Sequence, residues 1–483
     1  MKKLLEIITD IKPLEVKGSQ ETVISGIFIS SNLVTENGLF IAIVGEKSDG
    51  HEYINDVIAK GATAIVHEKD LREYKDGITY LKVADTHEAS GCIASAFYDY
   101  PSKKLKLVGV TGTNGKTTIA TLLHKLFRNL RFKTGMMGTV VNKINDTEVE
   151  ATRTTPDPIT LNQTLAQMVE AGCEYCFMEV SSHAIYMKRI AGLEFAGGIF
   201  TNLTHDHLDF HITIEEYAKV KKEFFTNLPS TCFALSNLDS EYGEYMLEST
   251  KAKKYFYSRD NKVDFSGKVD TKLIGDFNQS NVLAILGTAV LLGIDEKSAR
   301  EEIKKLDPAP GRFVSFTSPN GVTGIVDYAH TPDALENVLK TIKKLADVGR
   351  LQEQTSDVCK IITVIGCGGD RDKAKRPIMA QIAYKMSDIL ILTSDNPRTE
   401  KVEDIINDMR VGLPDEALSL SNEQKVYIIN DRREAITKAC ILAKKSYYIL
   451  LAGKGHENYQ EVNGTKTHFD DMEELKSCFS NMV

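Results

Sequence analysis

The sequence predicts an α/β protein whose sheets are open and mostly parallel. Short apolar runs typical of buried strands alternate with segments in which apolar residues recur at helical spacing. The apolar run 105–110 leads into a glycine-rich turn and then into helical spacing over 118–127. Because a strand, a glycine loop and a helix in this order form one βα unit, repetition of the unit builds a parallel sheet covered by helices.

Three blocks of the chain repeat this alternation. A length of 483 residues exceeds what one hydrophobic core usually organises, so we predict domains over 1–104, 105–310 and 311–483. The predicted strands are 39–45, 62–68, 105–110, 176–180, 198–201, 323–327, 360–365, 389–393 and 448–452. The predicted helices are 54–61, 118–127, 159–171, 214–227 and 278–292, and the polar stretch 349–357 is predicted to be a surface loop.

The composition is that of a soluble globular protein, with 42% hydrophobic and 26% charged residues. The net charge is −8 and both signs are mixed along the chain, so we expect no nucleic-acid partner. A polyphosphate substrate would need locally placed cations. The N-terminal apolar stretch is broken by Glu6, Asp10 and Lys12, and no run is long enough to cross a bilayer. We therefore expect a cytoplasmic protein that does not insert into membranes.

The eight cysteines have irregular spacing, which argues against a disulfide framework. Cys173 and Cys176 form one C-x-x-C pair, and no second pair follows to complete a zinc site. A redox site is one interpretation. We favour the other, two small apolar residues near the start of a buried strand.

The segment GTNGKTT (112–118) predicts a phosphate-binding loop. The strict pattern G-x-x-x-x-G-K-[ST] fails at one position, where Val110 replaces the first glycine. Gly112 and Gly115 would let backbone N–H groups approach phosphate oxygens, Lys116 would supply a charge and Thr117 a Mg²⁺ ligand. The alternative is a tight turn that binds nothing, and a lysine followed by two threonines argues against it.

Two more polar segments follow predicted strands. MEVSSH (178–183) places Glu179 after an apolar run, where a buried carboxylate needs a partner such as Mg²⁺. FTNLTHDHLDFH (200–211) gathers His205, Asp206, His207, Asp209 and His211 within seven residues. This density indicates a site that holds a second metal ion or orients a substrate.

These segments resemble the central domain of the Mur ligases, which build the peptide stem of the bacterial cell wall. The resemblance extends over nearly the whole chain through GDFNQSN (275–281), PGRF (310–313), DYAHTPDAL (327–335), GCGGDRDKAKRP (366–377), DNPRTE (395–400) and AGKGHENYQ (452–460). The set is similar to that of the members that add the third stem residue. It implies the three-domain Mur ligase architecture, with a nucleotide-sugar domain, a phosphate-loop ATPase domain and a Rossmann-like C-terminal domain that binds the amino acid.

The resemblance also implies the reaction. ATP, as co-substrate, would drive addition of meso-2,6-diaminopimelate to UDP-N-acetylmuramoyl-L-alanyl-D-glutamate through an acyl phosphate, with two Mg²⁺ ions as cofactors. The partners would be these small molecules alone, and the protein a monomer. The same reaction with L-lysine or another diamino acid, a folylpolyglutamate-type ligase and a catalytically inactive ATP-binding regulator are the alternatives.

Residue roles carry over position by position. The catalytic residues would be Lys116, Glu179, His207, Lys221 and Arg312, and the metal ligands Thr117, Glu179, His207 and a carbamate on Lys221. ATP would contact Gly112, Thr113, Asn114, Gly115, Lys116, Thr117, Thr118, Asn278, Asn281, Arg312, Asp327 and His330. Lys219 and Lys222 could be mistaken for Lys221, which we select because it lies four residues after Tyr217, as in the family pattern.

The amino acid and the nucleotide sugar would contact the two remaining sets of residues. The planar fork of Arg398 suits the distal carboxylate of diaminopimelate, which lysine lacks. The amino-acid set is Arg371, Asp395, Asn396, Pro397, Arg398, Gly453 and Glu457. The nucleotide-sugar set is Ile29, Ser31, Glu46, Lys47, Ser48, Thr154, Thr155, Ser181, Met187 and Arg189. The first block, residues 1–104, departs most from the family. The D-S-R pattern of the family is replaced there by Ser30, Ser31 and Asn32.

Overall fold

A computed structural model describes residues 1–45, 48–151, 153–353, 359–418 and 425–480. Along this part of the chain lie a five-stranded, a nine-stranded and a six-stranded sheet, which we call the first, central and third sheets. Most neighbouring strands in each sheet are parallel, and helices pack on the sheets. The predicted α/β class with mostly parallel sheets is confirmed.

The first sheet has four parallel strands and one antiparallel edge strand. In spatial order its strands are Glu15–Lys17, Thr79–Lys82, Ala62–His67, Gly38–Ile41 and Gly26–Phe28. Apolar side chains on both sides of it are buried. A two-stranded ribbon, Lys2–Lys3 with Val23–Ile24, and the helices Leu4–Ile7, Gly50–Tyr53, Ile54–Ala59, Thr86–Phe97 and Pro101–Lys104 complete this region.

The central sheet carries the glycine loop on its middle strand. In spatial order its strands are Thr147–Glu150, Val141–Ile144, Thr134–Met137, Tyr175–Glu179, Lys106–Thr111, Gly197–Phe200, Phe233–Asn237, Lys253–Ser258 and Phe265–Ser266. The first two are antiparallel additions to a parallel core. The helices are Lys116–Asn129, Pro158–Glu170, Ser182–Tyr186, Leu208–His211, Ile214–Thr226, Gly243–Leu247, Asp276–Leu291 and Glu296–Ile303. Two large apolar clusters pack against its strands, so the middle strands are buried on both sides and read as continuous apolar runs.

The third sheet is parallel except for its first edge strand. In spatial order its strands are Val314–Thr317, Thr323–Asp327, Tyr448–Ala452, Ile361–Ile365, Ile389–Leu392 and Val426–Ile428. The helices are Pro332–Glu353, Lys375–Met386, Val402–Arg410, Asp415–Leu418, Arg432–Leu442 and Asp471–Ser480, and a hairpin pairs Tyr459–Val462 with Thr465–His468. Polar segments that follow its strands lie at their carboxyl ends, the edge at which ligands gather in such sheets.

Every strand and helix predicted above has a counterpart whose ends differ by a few residues. The loop predicted over 349–357 is wrong for residues 349–353, because they complete the helix Pro332–Glu353, while 354–357 lie outside the described residues. Residue 349 is a glycine. A single glycine weakens a helix by only about 1 kcal/mol, and the long helix that precedes this residue tolerates that loss. The C-x-x-C residues Cys173 and Cys176 are buried free thiols, as we favoured.

The three sheets occupy 15–82, 106–266 and 314–452. The predicted domain divisions after residues 104 and 310 fall between them and stay predictions. Within the described ranges, no helix combines the length and the apolar character needed to span a bilayer.

Candidate active site

A cavity of about 940 Å³ lies between the carboxyl ends of the central and third sheets. Residues predicted for phosphate and metal chemistry line it from the central sheet, and residues predicted for the amino acid line it from the third. From the predicted sets it is lined by Thr113, Asn114, Gly115, Lys116, Thr117, Thr154, Glu179, Ser181, His207, Lys221, Arg312, His330, Arg371, Asp395, Asn396, Arg398, Gly453 and Glu457. The tertiary structure therefore gathers segments that are more than 300 residues apart in sequence.

The glycine loop joins the strand Lys106–Thr111 to the helix Lys116–Asn129. Gly115 has φ +92°, and a Cβ built on it would lie 2.6 Å from Asn281 Oδ1, so glycine is required there for two reasons. The ammonium of Lys116 folds back and donates to the carbonyl oxygens of Gly112 at 2.9 Å and Thr113 at 2.8 Å. The loop thus presents a cation and a helix N-terminus to the cavity, which is the arrangement that binds phosphate.

Glu179 ends the neighbouring parallel strand and is 1% exposed. Its Oε2 accepts hydrogen bonds from Thr117 Oγ1 at 3.0 Å and Thr139 Oγ1 at 3.1 Å, and its Oε1 accepts one from the Thr139 N–H at 2.9 Å. The buried carboxylate that the sequence placed near Thr117 is in direct contact with it.

Lys221 is buried on the helix Ile214–Thr226, whereas Lys219 is exposed and Lys222 pairs with Glu248. Its Nζ donates to the Gly112 carbonyl oxygen at 2.9 Å and lies 4.6 Å from the centre of the Tyr217 ring. Burial and the neighbouring Lys116 hold the pKa of Lys221 well below its usual value. Of the three lysines, Lys221 alone lines the cavity.

Side chains of the histidine-rich segment 200–211 make contacts with different partners. His205 Nε2 lies 3.1 Å from Asp372 Oδ2, and Asp206 Oδ1 lies 3.5 Å from Lys375 Nζ, so both reach the third sheet's region. His211 Nε2 lies 2.9 Å from Ser182 Oγ. Among the described residues, no three His, Cys, Asp or Glu side chains form a metal-binding group. The contacts of His205 and Asp206 join this segment to the third sheet's region.

His207 and Asp209 remain at the cavity. His207 has φ +55°, and its Nε2 lies 3.4 Å from Asp206 Oδ2. Burial by itself would raise the pKa of Asp206, yet that pKa is lowered because the neighbouring His207, Lys375 and Lys116 act against the effect of burial. Asp206 therefore stays ionised as the counter-charge of this edge.

Arg312 crosses from the third region to the glycine loop. Its Nη2 donates to Thr117 Oγ1 at 3.0 Å, and its guanidinium lies 4.4 Å from the centre of the Tyr328 ring. Its Nε is buried without a hydrogen-bond partner. A planar cation held by an aromatic face against the phosphate loop suits a phosphate oxygen.

A second cavity, of about 710 Å³, opens on the other side of the glycine loop. Five residues of the predicted ATP set line it: Asn114, Gly115, Thr118, Asn281 and Asp327. Asn278 stands behind Asn281 and accepts a hydrogen bond from its Nδ2 at 3.2 Å. Burial raises the pKa of Asp327 to about 6, and its Oδ2 accepts the Phe313 N–H at 2.6 Å.

His330, which belongs to the same predicted set, lines the first cavity instead. Its Nδ1 lies 2.8 Å from the Tyr328 carbonyl oxygen, which can only accept, so Nδ1 carries the hydrogen and Nε2 keeps its lone pair. Burial lowers the pKa of His330 to about 4, so the ring is neutral near pH 7.

The third sheet supplies the far end of the first cavity. Arg398 has φ +52°, and its Nη1 donates to the Gly369 carbonyl oxygen at 2.7 Å. Asn396 Nδ2 donates to Glu457 Oε2 at 2.7 Å. Gly453, with φ +114°, packs against Asp395, where a Cβ would lie 2.6 Å from Oδ2. Arg371 is exposed at the rim, and Pro397 does not line the cavity.

The nucleotide-sugar set is brought together only in part. Thr154 and Ser181 line the cavity, and Thr155 links them by accepting from the Ser181 N–H at 3.1 Å. Arg189 Nη1 donates to the Thr155 carbonyl oxygen at 3.0 Å, and its Nη2 lies 3.1 Å from Met187 Sδ. Ile29, Ser31 and Ser48 lie by the first sheet and do not line this cavity, and Glu46 and Lys47 lie outside the described residues.

The cavity residues missed in the sequence analysis include Tyr328, Asp372, Lys375 and His456. Lys454 was missed as well; it does not line the cavity but donates to Asn396 Oδ1 in its wall. Each stands inside a motif quoted there, and no single-residue pattern separated them from their neighbours. His456 Nδ1 is buried without a hydrogen-bond partner, and Lys454 is wholly buried. The sequence signal that could have pointed to Lys454 was a charged residue between two glycines.

Comparison with known proteins agrees with this arrangement. The Mur ligase family catalytic domain matches residues 23–98, the Mur ligase middle domain 110–289 and the Mur ligase glutamate ligase domain 311–455. A UDP-N-acetylmuramoyl-L-alanyl-D-glutamate--2,6-diaminopimelate ligase of Bacteroides fragilis is 51% identical over 100% of both chains. A solved structure of a ligase with that name is 31% identical, with 99% of each chain covered and a TM-score of 0.67.

A folylpolyglutamate synthase of Mycobacterium tuberculosis is 16% identical, with 76% of this chain and 92% of that chain covered and a TM-score of 0.58. That likeness is one of fold alone. Because three family domains match in order and a relative at 51% identity covers the chain from end to end, the chain belongs to the Mur ligase family.

Proposed function

We propose that the chain is the ATP-dependent ligase that joins meso-2,6-diaminopimelate to UDP-N-acetylmuramoyl-L-alanyl-D-glutamate in peptidoglycan precursor synthesis. One observation carries the proposal: a single cavity has the phosphate loop and Arg312 at one end and Arg398, Asn396 and Glu457 at the other. Relatives that carry this activity in their names are about 50% identical over the full chain. The proposed region roles are nucleotide-sugar binding for 1–104, ATP hydrolysis for 105–310 and amino-acid binding for 311–483.

At the ATP end, the second cavity would take the nucleoside and the glycine loop the phosphates. Asn281 and Asp327 line the nucleoside cavity, and Lys116 and Arg312 bring two cations to the other side of the loop. ATP and the nucleotide sugar are polar metabolites, and we place the reaction in the cytoplasm with the protein acting as a monomer.

The donor set at this end fits Mg²⁺. Glu179 presents a buried carboxylate to the Thr117 hydroxyl, and His207 and Lys221 line the same cavity. Hard oxygen donors are those that Mg²⁺ prefers. When bound, Mg²⁺ would offset the negative charge of the transferring phosphoryl group. Thr117, Glu179, His207 and the carbamate of Lys221 would hold the two ions.

Lys221 is suited to carbamate formation. Its buried amine has a lowered pKa, so a neutral amine is available to attack CO₂, giving a carbamate and releasing one proton. Among the ion pairs of the described residues, none joins Lys221 to a carboxylate. The product would replace a buried neutral amine by an anion, which the nearby Lys116 ammonium stabilises.

At the other end, Arg398 would select the amino acid. Its guanidinium is one-fifth exposed and lies near Gly369 and Glu461, which leaves donors for a carboxylate in the cavity. Glu457 would accept from an ammonium group. A substrate with a second carboxylate and a second amine fits this pair, and meso-diaminopimelate has both.

The muramoyl dipeptide would enter along the strand end that carries Glu179. Thr154, Thr155, Ser181 and Arg189 form one connected set there. The uridine end would reach the first sheet near Ile29, Ser31, Glu46, Lys47 and Ser48, with Met187 beside Arg189.

The mechanism follows from charge and position. A carboxylate is a poor electrophile, so an oxygen of the D-glutamyl γ-carboxylate attacks the γ-phosphorus of ATP, which gives an acyl phosphate and ADP. Lys116 and Arg312 flank this position and stabilise the charge that develops on the phosphoryl oxygens. The amine of diaminopimelate then attacks the acyl carbon, and the tetrahedral intermediate collapses with loss of phosphate.

The attacking amine must give up a proton. His207 and His330 both line the cavity, and either could accept it. His330 Nε2 is unprotonated in the tautomer that its contact with Tyr328 fixes. The bound phosphates would raise the low pKa of this ring, because nearby negative charge favours the imidazolium.

The decisive experiment is a turnover assay with the muramoyl dipeptide, ATP and meso-diaminopimelate, followed by phosphate release, with L-lysine in parallel. We expect turnover with diaminopimelate and little with lysine. Preferred use of lysine would overturn the role of Arg398. Absence of turnover with every amino acid, alongside retained ATP binding, would support the inactive regulator instead.

A second test addresses the loop. Lys116→Ala should lower kcat by about a hundredfold or more, because a transition-state cation is lost. Lys104→Ala is the matched control, since this lysine is exposed outside the cavity. Unchanged turnover in Lys116→Ala would remove the glycine loop from the mechanism.

A further inference from the structure

Lys454 is the one lysine of the GKGHE segment and is completely buried. It follows the strand Tyr448–Ala452 and reaches across the carboxyl end of the third sheet. Its Nζ donates to the Tyr459 carbonyl oxygen at 2.5 Å and to Asn396 Oδ1 at 3.3 Å, and it lies 3.6 Å from Glu457 Oε2. A buried ammonium is costly unless it is paired, so these contacts account for its position.

The contacts of Lys454 fix the orientation of the Asn396 amide. Asn396 Oδ1 accepts from Lys454 Nζ and from the Glu461 N–H at 3.0 Å. Both partners only donate, so the oxygen must face them and the Nδ2 group must face Glu457. Asn396 Nδ2 then donates to Glu457 Oε2 at 2.7 Å. Lys454 thereby holds the carboxylate of Glu457 directly and through Asn396.

The charge around Glu457 needs this cation. Burial and the nearby Asp395 raise the pKa of Glu457, and Lys454, Asn396 and Arg398 act against them. The titratable groups that face Glu457 from the surrounding elements are Tyr328, Asp395, Arg398, Arg432, Lys454 and Tyr459. Arg432 is paired with Asp471, and Arg398 donates to the Gly369 carbonyl oxygen. Of these three cations, Lys454 is therefore the one in closest contact with the Glu457 carboxylate.

We propose that Lys454 is a positioning residue for the amino-acid substrate: its ammonium supplies the counter-charge of Glu457 and fixes the Asn396 amide, so that Glu457 stands ready as an anion to bind the substrate's protonated amine. This inference rests on the proposed function of the site. Lys454 itself touches no substrate, since it is shielded by Asn396, Glu457 and Tyr459.

The kinetic test is Lys454→Met, which keeps the length of the side chain and removes its charge. At pH 7 the KM for the amino acid should rise about 30-fold, the effect of breaking a buried charge pair, while the KM for ATP stays within twofold. The KM should recover as pH rises, because without Lys454 the carboxyl of Glu457 ionises only at higher pH. Lys445→Met, an exposed lysine on the same region, is the matched control and should match the unmodified protein.

A purely structural role would raise both KM values together and leave the pH profile unshifted. That outcome, or an unchanged KM for the amino acid at every pH, would overturn the proposal. The assay uses whichever diamino acid the unmodified protein ligates best. If that substrate is lysine, the proposed substrate fails while the role of Lys454 is still measured.

A substrate-free test covers the case in which no amino acid is ligated. The urea midpoints of the unmodified protein, Lys454→Met, Glu457→Gln and the double variant form a double-mutant cycle. We expect the loss caused by Lys454→Met to be greater at pH 8 than at pH 5.5, and to shrink when Glu457 is already glutamine. Additive losses at both pH values would show that Lys454 and Glu457 are not coupled, which refutes the proposal independently of the reaction.

Discussion

Lys221 shows at the scale of a residue how burial changes chemistry. Its neighbours Lys219 and Lys222 carry the same functional group, yet one is exposed and the other is paired with Glu248. Burial and the neighbouring Lys116 hold the pKa of the Lys221 amine well below its usual value. The low pKa of this amine is therefore a consequence of its position on the helix.

We predict that Lys221→Ala lowers kcat by about 10²- to 10³-fold, since the proposed carbamate that would hold Mg²⁺ near the transferring phosphate would be lost. Short carboxylates such as formate should restore part of the activity, because they can occupy the position of the carbamate oxygens. Rescue is measured as initial rate against carboxylate concentration. Lys222→Ala is the control and should keep its activity, whereas rescue of Lys221→Ala by bicarbonate would speak against the carbamate.

Arg398 carries the prediction about the amino acid. We expect Arg398→Ala to raise the KM for diaminopimelate by about 30-fold, because a charged hydrogen bond to a carboxylate is lost. The KM for ATP should change little, since Arg398 lies at the other end of the cavity. Arg410→Ala, on the exposed helix end, serves as the control. Equal effects on both substrates would contradict a role in selecting the amino acid.

At the scale of an element, one ion pair holds the helices Arg432–Leu442 and Asp471–Ser480 to the third sheet. Arg432 and Asp471 are both inaccessible to solvent and are joined by contacts of 2.6 and 2.8 Å. Arg432 also donates to the carbonyl oxygen of Ala452, which ends one strand, and to that of Ser394, which lies two residues beyond the end of another. These strand ends lead into the segments that contain Asp395 and Gly453, so the pair supports the amino-acid end of the cavity.

We predict that Asp471→Asn lowers the free energy of unfolding by about 3 to 5 kcal/mol, the cost of leaving a buried charge without its partner. Urea denaturation followed by circular dichroism measures it. The exposed pair of Arg433 and Glu474 links the same two helices, and Glu474→Gln should cost about 1 kcal/mol or less. A similar cost for both variants would mean that burial does not control the strength of the pair.

At the scale of the whole molecule, the site exists only where the central and third regions meet. Arg312 reaches Thr117, Asn114 Nδ2 donates to Asp333 Oδ2 at 2.9 Å, and Lys375 lies against Asp206. Each contact joins a segment that follows a strand of the central sheet to a segment of the third region. These contacts bring the predicted catalytic groups of the two regions together around one cavity.

We predict that Lys375→Met lowers kcat by about tenfold or more, because Asp206 would be left buried without its counter-charge. Lys375 lowers the pKa of Asp206, so its removal should raise that pKa and move the acid limb of the pH–kcat profile to higher pH. Lys373→Met is the control, since Lys373 is exposed and pairs with Glu400 at the surface. An unshifted acid limb with unchanged kcat would show that this contact does not support the site.

Local patterns were sufficient for the elements and for the motifs. Apolar runs located the strands, and the glycine loop followed from Gly112, Gly115 and Lys116 in sequence. The error over residues 349–353 arose because polar residues at the end of a long amphipathic helix have the composition of a loop. His205 and His211 were grouped with His207 because spacing along the chain does not show which side chain faces which partner.

The sequence by itself determined the α/β class, the phosphate loop and the family, because each depends on residues that are close together in the chain. The tertiary structure decided which of three lysines is buried, that Arg312 meets Thr117, and that Lys454 orients Asn396 toward Glu457. These contacts join residues that lie far apart in the chain or, as in the 219–222 segment, on different sides of one helix. Their existence depends on packing of whole sheets and helices, which sets burial and charge in ways that no local pattern encodes.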